Sequence, residues 1–160
     1  MQIRPAISED SNAIWAIMEP IIRAGETYTL PRDMNKEAAL AYWFSTEREV
    51  FVAEDQGETV GTYCLQANQK GGGSHVANCG YMTAMSATGR GVARAMCTHS
   101  LDRARERGFR AMQFNFVIST NDRAVKLAKL PQGSDLLSGK KLAKQHKLEA
   151  YGVIAIGQPR

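Results

Sequence analysis

No stretch of this chain approaches the ~18 to 20 uninterrupted apolar residues that a membrane helix needs, and the opening Met1-Gln2-Ile3-Arg4-Pro5 lacks the apolar segment of a secretory leader. A cytoplasmic protein with no membrane partner is therefore expected. Cysteine is also scarce. Cys64, Cys79 and Cys97 are odd in number and show neither Cys-x-x-Cys nor Cys/His ligand spacing. Buried reduced thiols are expected in place of disulfides or zinc, and no metal is expected. Internal repeats, low-complexity tracts and long linkers are missing too, so residues 1–160 read as a single domain. With 44% hydrophobic residues among 160, that domain has enough apolar side chain for one core.

Charge is dispersed. The formal net charge is +4, and most basic residues are interspersed with Asp and Glu, apart from Arg103, Arg105, Arg107, Arg110 and a Lys-rich tail. The arginines fall in the last turns of a predicted helix, where cations offset the negative end of the dipole. A solvated helix end is preferred to an RNA-binding patch, so no nucleic-acid partner is expected.

Hydrophobic periodicity outlines the elements. Residues 2–4 read as a short strand. A helix capped near Ser8 or Asp10 follows, with Ile14, Ile17, Met18, Ile21 and Ile22 at helical spacing, and Pro20 is expected to kink or break it. Asn35 is placed to cap a second helix carrying Ala38, Leu40, Ala41, Trp43 and Phe44. Residues 50–54 and 59–65 read as strands around a turn at Asp55-Gln56-Gly57-Glu58. Lys70-Gly71-Gly72-Gly73-Ser74 reads as an exposed, flexible hairpin loop. Its glycines suit a phosphate, but the Lys-Ser/Thr ending and the following helix are absent.

A strand from near His75 to near Met85 leads into a helix over residues 91–107. Ala93, Met96, Cys97, Ser100, Leu101 and Ala104 share its inner side, and Gly108 suits its C-terminal cap. Residues 111–117 alternate, with Met112, Phe114 and Phe116 on one face, and Asn121 then caps a helix through Ala124, Val125 and Leu127. Residues 148–156 can supply a closing strand. Strands before and after a helix imply an α/β sheet with a crossover connection.

The most informative stretch is the passage from Cys79-Gly80-Tyr81-Met82-Thr83-Ala84-Met85 through Thr88-Gly89-Arg90-Gly91-Val92-Ala93-Arg94 into that helix. Two glycines let the backbone approach an anion without a Cβ in the way. The N–H groups at the helix start add donors and partial positive charge. On its residues alone, this is either a pyrophosphate-binding turn or a tight strand-to-helix turn. Arg90 and Arg94 are the cations best placed to serve phosphates.

Asn78-Cys79-Gly80-Tyr81-Met82, then Thr88 to Met96, then Phe114-Asn115-Phe116-Val117-Ile118-Ser119-Thr120-Asn121 and onward to Leu127 occur in this order. Together they resemble the GNAT family of acetyl-CoA-dependent N-acetyltransferases. In that family a strand holds the pantetheine arm through its main chain, an Arg/Gln-x-x-Gly-x-Gly/Ala turn wraps the pyrophosphate, and an Asn opens a later helix near the cofactor. Ser86-Ala87-Thr88-Gly89-Arg90-Gly91 matches the turn at both glycines and departs from it at Ser86. The resemblance implies an α+β fold with a mixed, mostly antiparallel central sheet flanked by helices, and acetyl-CoA as co-substrate. The implied cofactor contacts are Tyr81, Met82 and Thr83, then Thr88, Gly89, Arg90, Gly91, Val92, Ala93 and Arg94, and finally Asn121. The match is good over residues 2–127 and thins from Ala128 onward.

The implied chemistry is direct transfer of acetyl to a substrate amine in one ternary complex, with no covalent enzyme nucleophile. It needs a neutral amine, a polarised carbonyl and a stabilised thiolate, and backbone N–H groups near Met82 and Thr83 are implied as the polarising donors. Many members carry a Tyr seven residues after the helix-opening Asn to protonate the thiolate; here that place holds Ala128. A closer likeness, on Ser74-His75-Val76-Ala77-Asn78-Cys79-Gly80, the Gly-Arg-Gly-Val turn, Phe114-Asn115 and Thr120-Asn121, is to the subgroup that includes the yeast acetyltransferases acting on proline analogues. There the residues matching Asn78 and Asn115 line the reaction site. An amide accepts from an amine and donates to a carboxylate without being a strong base. By residue type alone, Asn78 equally caps a bulge and Asn115 equally bonds neighbouring backbone.

Gly25-Glu26-Thr27-Tyr28-Thr29-Leu30-Pro31-Arg32 stands where many small-molecule members build the substrate wall. Glu26 is a candidate base, Tyr28 and Arg32 are candidate grips for a carboxylate, and His75 is a further substrate-side candidate on its ordinary pKa. Each is equally readable as an exposed loop residue. The resulting reading is a small-amine N-acetyltransferase, with an amino acid or analogue as acceptor. The competing reading is a catalytically degenerate acyl-CoA-binding regulatory module, suggested by Ala128 and the irregular tail; an RNA-associated protein is a third. A homodimer is compatible with the family, although the sequence does not fix the oligomeric state.

Overall fold

The computed structural model describes residues 1–115 and the backbone of residues 152–155. Asn121, Ala128 and the helix expected after Asn121 lie outside the described residues. Among these residues the chain forms β1 (Gln2–Pro5), α1 (Ser11–Ala24), α2 (Lys36–Trp43), β2 (Glu49–Asp55), β3 (Glu58–Ala67), β4 (Val76–Thr83), α3 (Val92–Glu106), β5 (Ala111–Phe114) and β6 (Gly152–Ala155). The strands are hydrogen-bonded in chain order. The β1–β2, β2–β3 and β5–β6 pairs are antiparallel and β4–β5 is parallel, which is the mixed sheet expected. Two compact units are distinguished. The first holds Met1–Leu65 and Gly80–His99, and the second, in its described residues, holds 66–79, 100–115 and 152–155.

In the first unit α1 buries Ile14, Ile17, Met18 and Ile22, and α2 buries Ala39 and Trp43, all in one cluster with Val50, Val52, Cys64 and Met82. The 3- and 4-residue spacings put one stripe of each helix on that cluster. Asn35 caps α2 as expected, its side chain accepting from the Ala38 N–H at 2.9 Å; the residue that turns inward is Ala39 rather than Ala38. Pro20 does not break α1, which runs on to Ala24 and ends at Gly25 in the left-handed conformation. The carbonyl that Pro20 deprives of a partner belongs to Ala16, which is exposed, as is Pro20 itself. Solvent can reach the unbonded group there, while burial of Ile22 beyond the proline favours continuing the helix.

The β2–β3 hairpin turns at Gln56 and Gly57, both with positive φ, which is the geometry that matches strand twist in a two-residue loop. Buried Trp43 donates its Nε1–H to Thr62 Oγ1 at 3.0 Å, and the Thr62 hydroxyl donates to the Phe51 carbonyl at 2.9 Å. A Cβ on Gly61 would stand 2.8 Å from Val92 and 3.0 Å from Met96. Glycine at 61 is therefore what lets the start of α3 pack onto β3. The buried residue in the first turn of α3 is Val92, with Ala93 only half-buried.

In the second unit, the Gly108 N–H bonds the Arg105 carbonyl and the Phe109 N–H the Ala104 carbonyl, both at 2.9 Å, with Gly108 at φ 77°. This double bond pattern is the glycine-dependent stop expected for α3. Arg103 and Arg105 pair with Glu106 and Asp102 on the same helix. Their charge is satisfied locally, in keeping with a solvated helix end. Residues 71–73 form one 3-10 turn within the expected loop, and β6 falls inside the closing strand expected over 148–156.

The start of α1 is held by a charge network. Arg4 donates to both carboxylate oxygens of buried Asp10 at 2.7 and 2.8 Å and to Glu54 at 2.6 Å, while the Ile7 N–H reaches Asp10 at 2.8 Å. The Arg4 hydrogen bonds hold the Asp10 carboxyl below the usual carboxylate range, against the opposing effect of burial. A depressed folded-state pKa gives stability that is complete above the ordinary carboxylate value and is lost as pH falls through the folded one. Asp10→Asn is expected to cost about 2 kcal/mol at pH 7. Its melting temperature should also fall less than the wild type's below about pH 4; parallel acid limbs would show that the pair is not coupled to folding. Thr62→Val, which leaves the buried Trp43 N–H without its acceptor, is expected to cost about 1 to 3 kcal/mol in a urea titration followed by tryptophan fluorescence.

Candidate active site

β4 ends at Thr83, two residues earlier than expected, and Met85–Ala87 form a 3-10 turn. Gly89 and Gly91 follow with φ of 83° and 82°. A Cβ at either would meet nothing within 4 Å, so conformation and not crowding demands glycine here. The Gly91 carbonyl accepts from the Ala95 N–H at 3.0 Å, the first bond of α3. Val92, Ala93 and Arg94 thus present N–H groups that no carbonyl of their own helix can take. Residues 88–91 and Arg94 are exposed. The Arg/Gln-x-x-Gly-x-Gly/Ala template laid two residues later than Ser86 covers Thr88 to Ala93, and this is the window that ends inside the first turn of α3. Donors, a helix N-terminus and open space over two glycines are what a diphosphate requires.

The two arginines differ. Arg90 is paired with Asp55 at the end of β2, and Asp55 also meets the Met1 amino group at 3.3 Å. The bond to that amino group, followed by the one to Arg90, keeps the Asp55 carboxyl below its ordinary range. Arg94 has no partner among the described residues. The positive potential at the turn therefore comes from main-chain dipoles and Arg94 more than from Arg90.

The loop after α1 reaches β4 in the same unit. Tyr28 donates its hydroxyl to the Tyr81 carbonyl at 3.0 Å, and its ring meets Trp43 edge-on at 6.2 Å. Gly80 makes room, because a Cβ there would lie 3.1 Å from the Tyr28 oxygen. Arg23 braces the loop from α1, donating to the carbonyls of Arg32 at 2.5 Å and Met34 at 2.9 Å. The Arg32 side chain lies back across Gly25, and both Arg32 and Glu26 are exposed. The structure thus brings Tyr28 to the main chain of Tyr81 and records no such contact for Glu26 or Arg32. Cys64, Cys79 and Cys97 are all buried, as expected. Burial pushes the Cys64 and Cys97 thiols up, which disfavours a nucleophilic thiolate.

Both asparagine candidates lie in the second unit. The parallel β4–β5 ladder comprises Val76↔Ala111, Ala77↔Met112 and Asn78↔Gln113. At its last rung the Asn78 side chain donates to the Gln113 carbonyl at 2.9 Å. Asn115 Nδ2 donates to Asn68 Oδ1 at 2.7 Å, and the Asn68 main-chain N–H bonds the Val76 carbonyl at 2.8 Å. Both catalytic candidates thus spend a donor on the protein, and among the described residues no partner is recorded for their oxygens. His75 is exposed and directs Nδ1 to the Gly72 carbonyl at 2.9 Å, within its own loop. Asn68 and Asp55 escaped the reading of the sequence. The available hint for Asn68 was an amide at the end of a strand, next to a glycine loop, a place with many bland explanations.

The profile of the Acetyltransferase (GNAT) family matches residues 15–133. Among solved structures, a GCN5-related N-acetyltransferase from Kribbella flavida is 39% identical, with a TM-score of 0.77 over 80% of this chain and 79% of that one. The yncA structure from Salmonella typhimurium, with its cofactor acetyl-CoA, is 18% identical at a TM-score of 0.81, covering 100% and 96%. A phosphinothricin acetyltransferase from Sinorhizobium meliloti in complex with AcCoA is 19% identical at 0.70, covering 80% and 71%. A search of curated proteins finds no match.

An anion seated on the amides that open α3 would be repelled by a carboxylate at position 91. Asn and Asp both tolerate positive φ and have the same shape. Gly91→Asp is therefore expected to bind coenzyme A about tenfold or more weakly than Gly91→Asn in calorimetric titration. Equal affinities in two folded variants would put the anion elsewhere.

Proposed function

The chain belongs to the GNAT acetyltransferase family, has its fold and transfers acetyl from acetyl-CoA; from that premise we propose that the acceptor is the amine of a small molecule, an amino acid or an amino-acid analogue. The supporting observation is the Tyr28–Tyr81 bond, which lays a side chain of the loop after α1 onto the strand that the family uses for the thioester. The finer likeness to the yeast proline-analogue enzymes belongs to the same proposal. The Sinorhizobium meliloti structure bears the name of a small-molecule acetyltransferase, which agrees with it by analogy of fold.

Bound acetyl-CoA supplies an activated thioester carbonyl. In this reading the N–H groups of Gly91, Val92, Ala93 and Arg94 bind its diphosphate, with Thr88, Gly89 and Arg90 shaping the turn, and Asn121 is a further cofactor contact. The main chain of Tyr81, Met82 and Thr83 lines the arm and polarises the carbonyl. The O–H of Tyr28 is engaged by the Tyr81 carbonyl, so in this reading Tyr28 grips a carboxylate only by exchanging that bond. Arg32 is the other group proposed for that grip. The Asn115 and Asn78 oxygens accept from the amine and orient it. Glu26, exposed on the loop after α1, takes the amine proton through water.

The binding-only module is not favoured, because the family and the structures that resemble this chain are acetyltransferases. Thiol release from acetyl-CoA with a panel of free amino acids and proline analogues tests the reading. Turnover with a subset is expected; coenzyme A binding with no turnover above background across the panel would defeat it. Asn115→Ala is expected to lower kcat about tenfold or more while coenzyme A affinity stays within about twofold. A normal kcat would leave Asn115 a structural residue.

A further inference from the structure

We infer that Asn68 is a positioning residue for acetyl transfer: its side-chain oxygen holds the Asn115 amide in the one orientation that leaves the Asn115 oxygen as an acceptor for the incoming amine. The inference rests on the role proposed above for Asn115. A primary amide has an acceptor and a donor at opposite corners of one plane, and rotation about its last torsion exchanges them at low cost unless a neighbour fixes one end. In this chain the neighbour is Asn68, whose Oδ1 takes Asn115 Nδ2 at 2.7 Å.

Asn68 is itself held. Its main-chain N–H bonds the Val76 carbonyl at 2.8 Å, just beyond the end of β3, and the residue is half-buried. The anchor is thus a backbone bond independent of the side chain, and the side chain is available to act on Asn115. An attacking amine carries N–H bonds and needs an acceptor to orient them. A flipped Asn115 would offer it N–H groups instead, donor against donor. Asn115 Oδ1 has no partner among the described residues, so the state selected by Asn68 leaves the needed oxygen available.

Substituting Asn68 separates this role from support of the fold. Asn68→Asp keeps the acceptor for Asn115 Nδ2, whereas Asn68→Leu removes it and keeps the size; both leave the main-chain bond to Val76. With acetyl-CoA and the amino acid of highest turnover in the panel, Asn68→Leu is expected to lower kcat about tenfold with the KM for acetyl-CoA unchanged. Asn68→Asp should stay within about threefold of the wild type. In the Asn115→Ala background the Leu substitution should cost nothing further, since it acts through the missing amide. Additive losses, or a poor Asn68→Asp enzyme, would overturn the inference while leaving Asn115 in place. A normal Asn115→Ala enzyme would overturn both. Side-chain amide NMR gives a reading without any acceptor: one Asn115 Nδ2 proton should be protected from exchange in wild type and Asn68→Asp. A fast-exchanging Asn115 amide in the wild type would overturn the inference whatever the turnover, even if Asn68→Leu failed to fold.

Discussion

A strand must satisfy its backbone donors and acceptors on both edges, and β4 loses its described β5 partner after three rungs. Much of the candidate site follows from how the chain answers that constraint. Where the ladder stops, the Asn78 amide takes the Gln113 carbonyl, an acceptor of β5. On β4 itself, the Tyr28 hydroxyl takes the Tyr81 carbonyl. That contact is made by a side chain, which a ligand can displace at the cost of one hydrogen bond. Gly80 favours the Tyr28 contact, because a Cβ there would stand 3.1 Å from the tyrosine oxygen and crowd it. A glycine in mid-strand, usually a weakness, here admits a loop side chain to the backbone.

The turn into α3 answers a different electrostatic demand. A flexible arginine can neutralise a phosphate, but it loses rotamer freedom in doing so, and Arg90 is already engaged by Asp55. Main-chain amides at a helix start are fixed in advance by the helix itself. Gly61 reinforces this by letting Val92 and Met96 pack closely on β3, which anchors the first turn to the sheet. The donors are thus held by core packing, and the glycines at 89 and 91 serve the path of the chain between strand and helix.

Local rules were legible in the sequence, and long-range pairings were not. The Asn35 cap, the Gln56-Gly57 turn, the Gly108 stop and the inward stripe of α1 each depend on residues within a few positions, and each is found. Pro20 did not end α1, because that outcome depends on whether the orphaned carbonyl faces water. The end of β4 was set two residues too late because Met85 extends an apolar pattern that the chain has already left. The Asn68–Asn115, Arg90–Asp55 and Tyr28–Tyr81 contacts join residues 47, 35 and 53 positions apart. No periodicity reports such pairs. Residue type suggested that Tyr28 and Asn115 carry chemistry, while the partners that decide whether each acts as donor or acceptor became visible only in the fold.

That distinction bears on how an amide-rich site does without a strong base. An ammonium cannot attack a thioester, so one proton must leave before the transfer begins, and an asparagine cannot take it. What an asparagine oxygen can do is accept an N–H from the amine already neutral and aim its lone pair. The second unit, taken by itself, presents asparagine donors tied down by the protein. In the proposed reading such groups contribute orientation and leave deprotonation to water or to an exposed carboxylate such as Glu26. The rate would then follow the fraction of acceptor that is neutral in solution, so amines with depressed pKa values gain most from this arrangement. Under the proposed amino-acid reading, acceptors whose nitrogen sits beside an electron-withdrawing group meet that description.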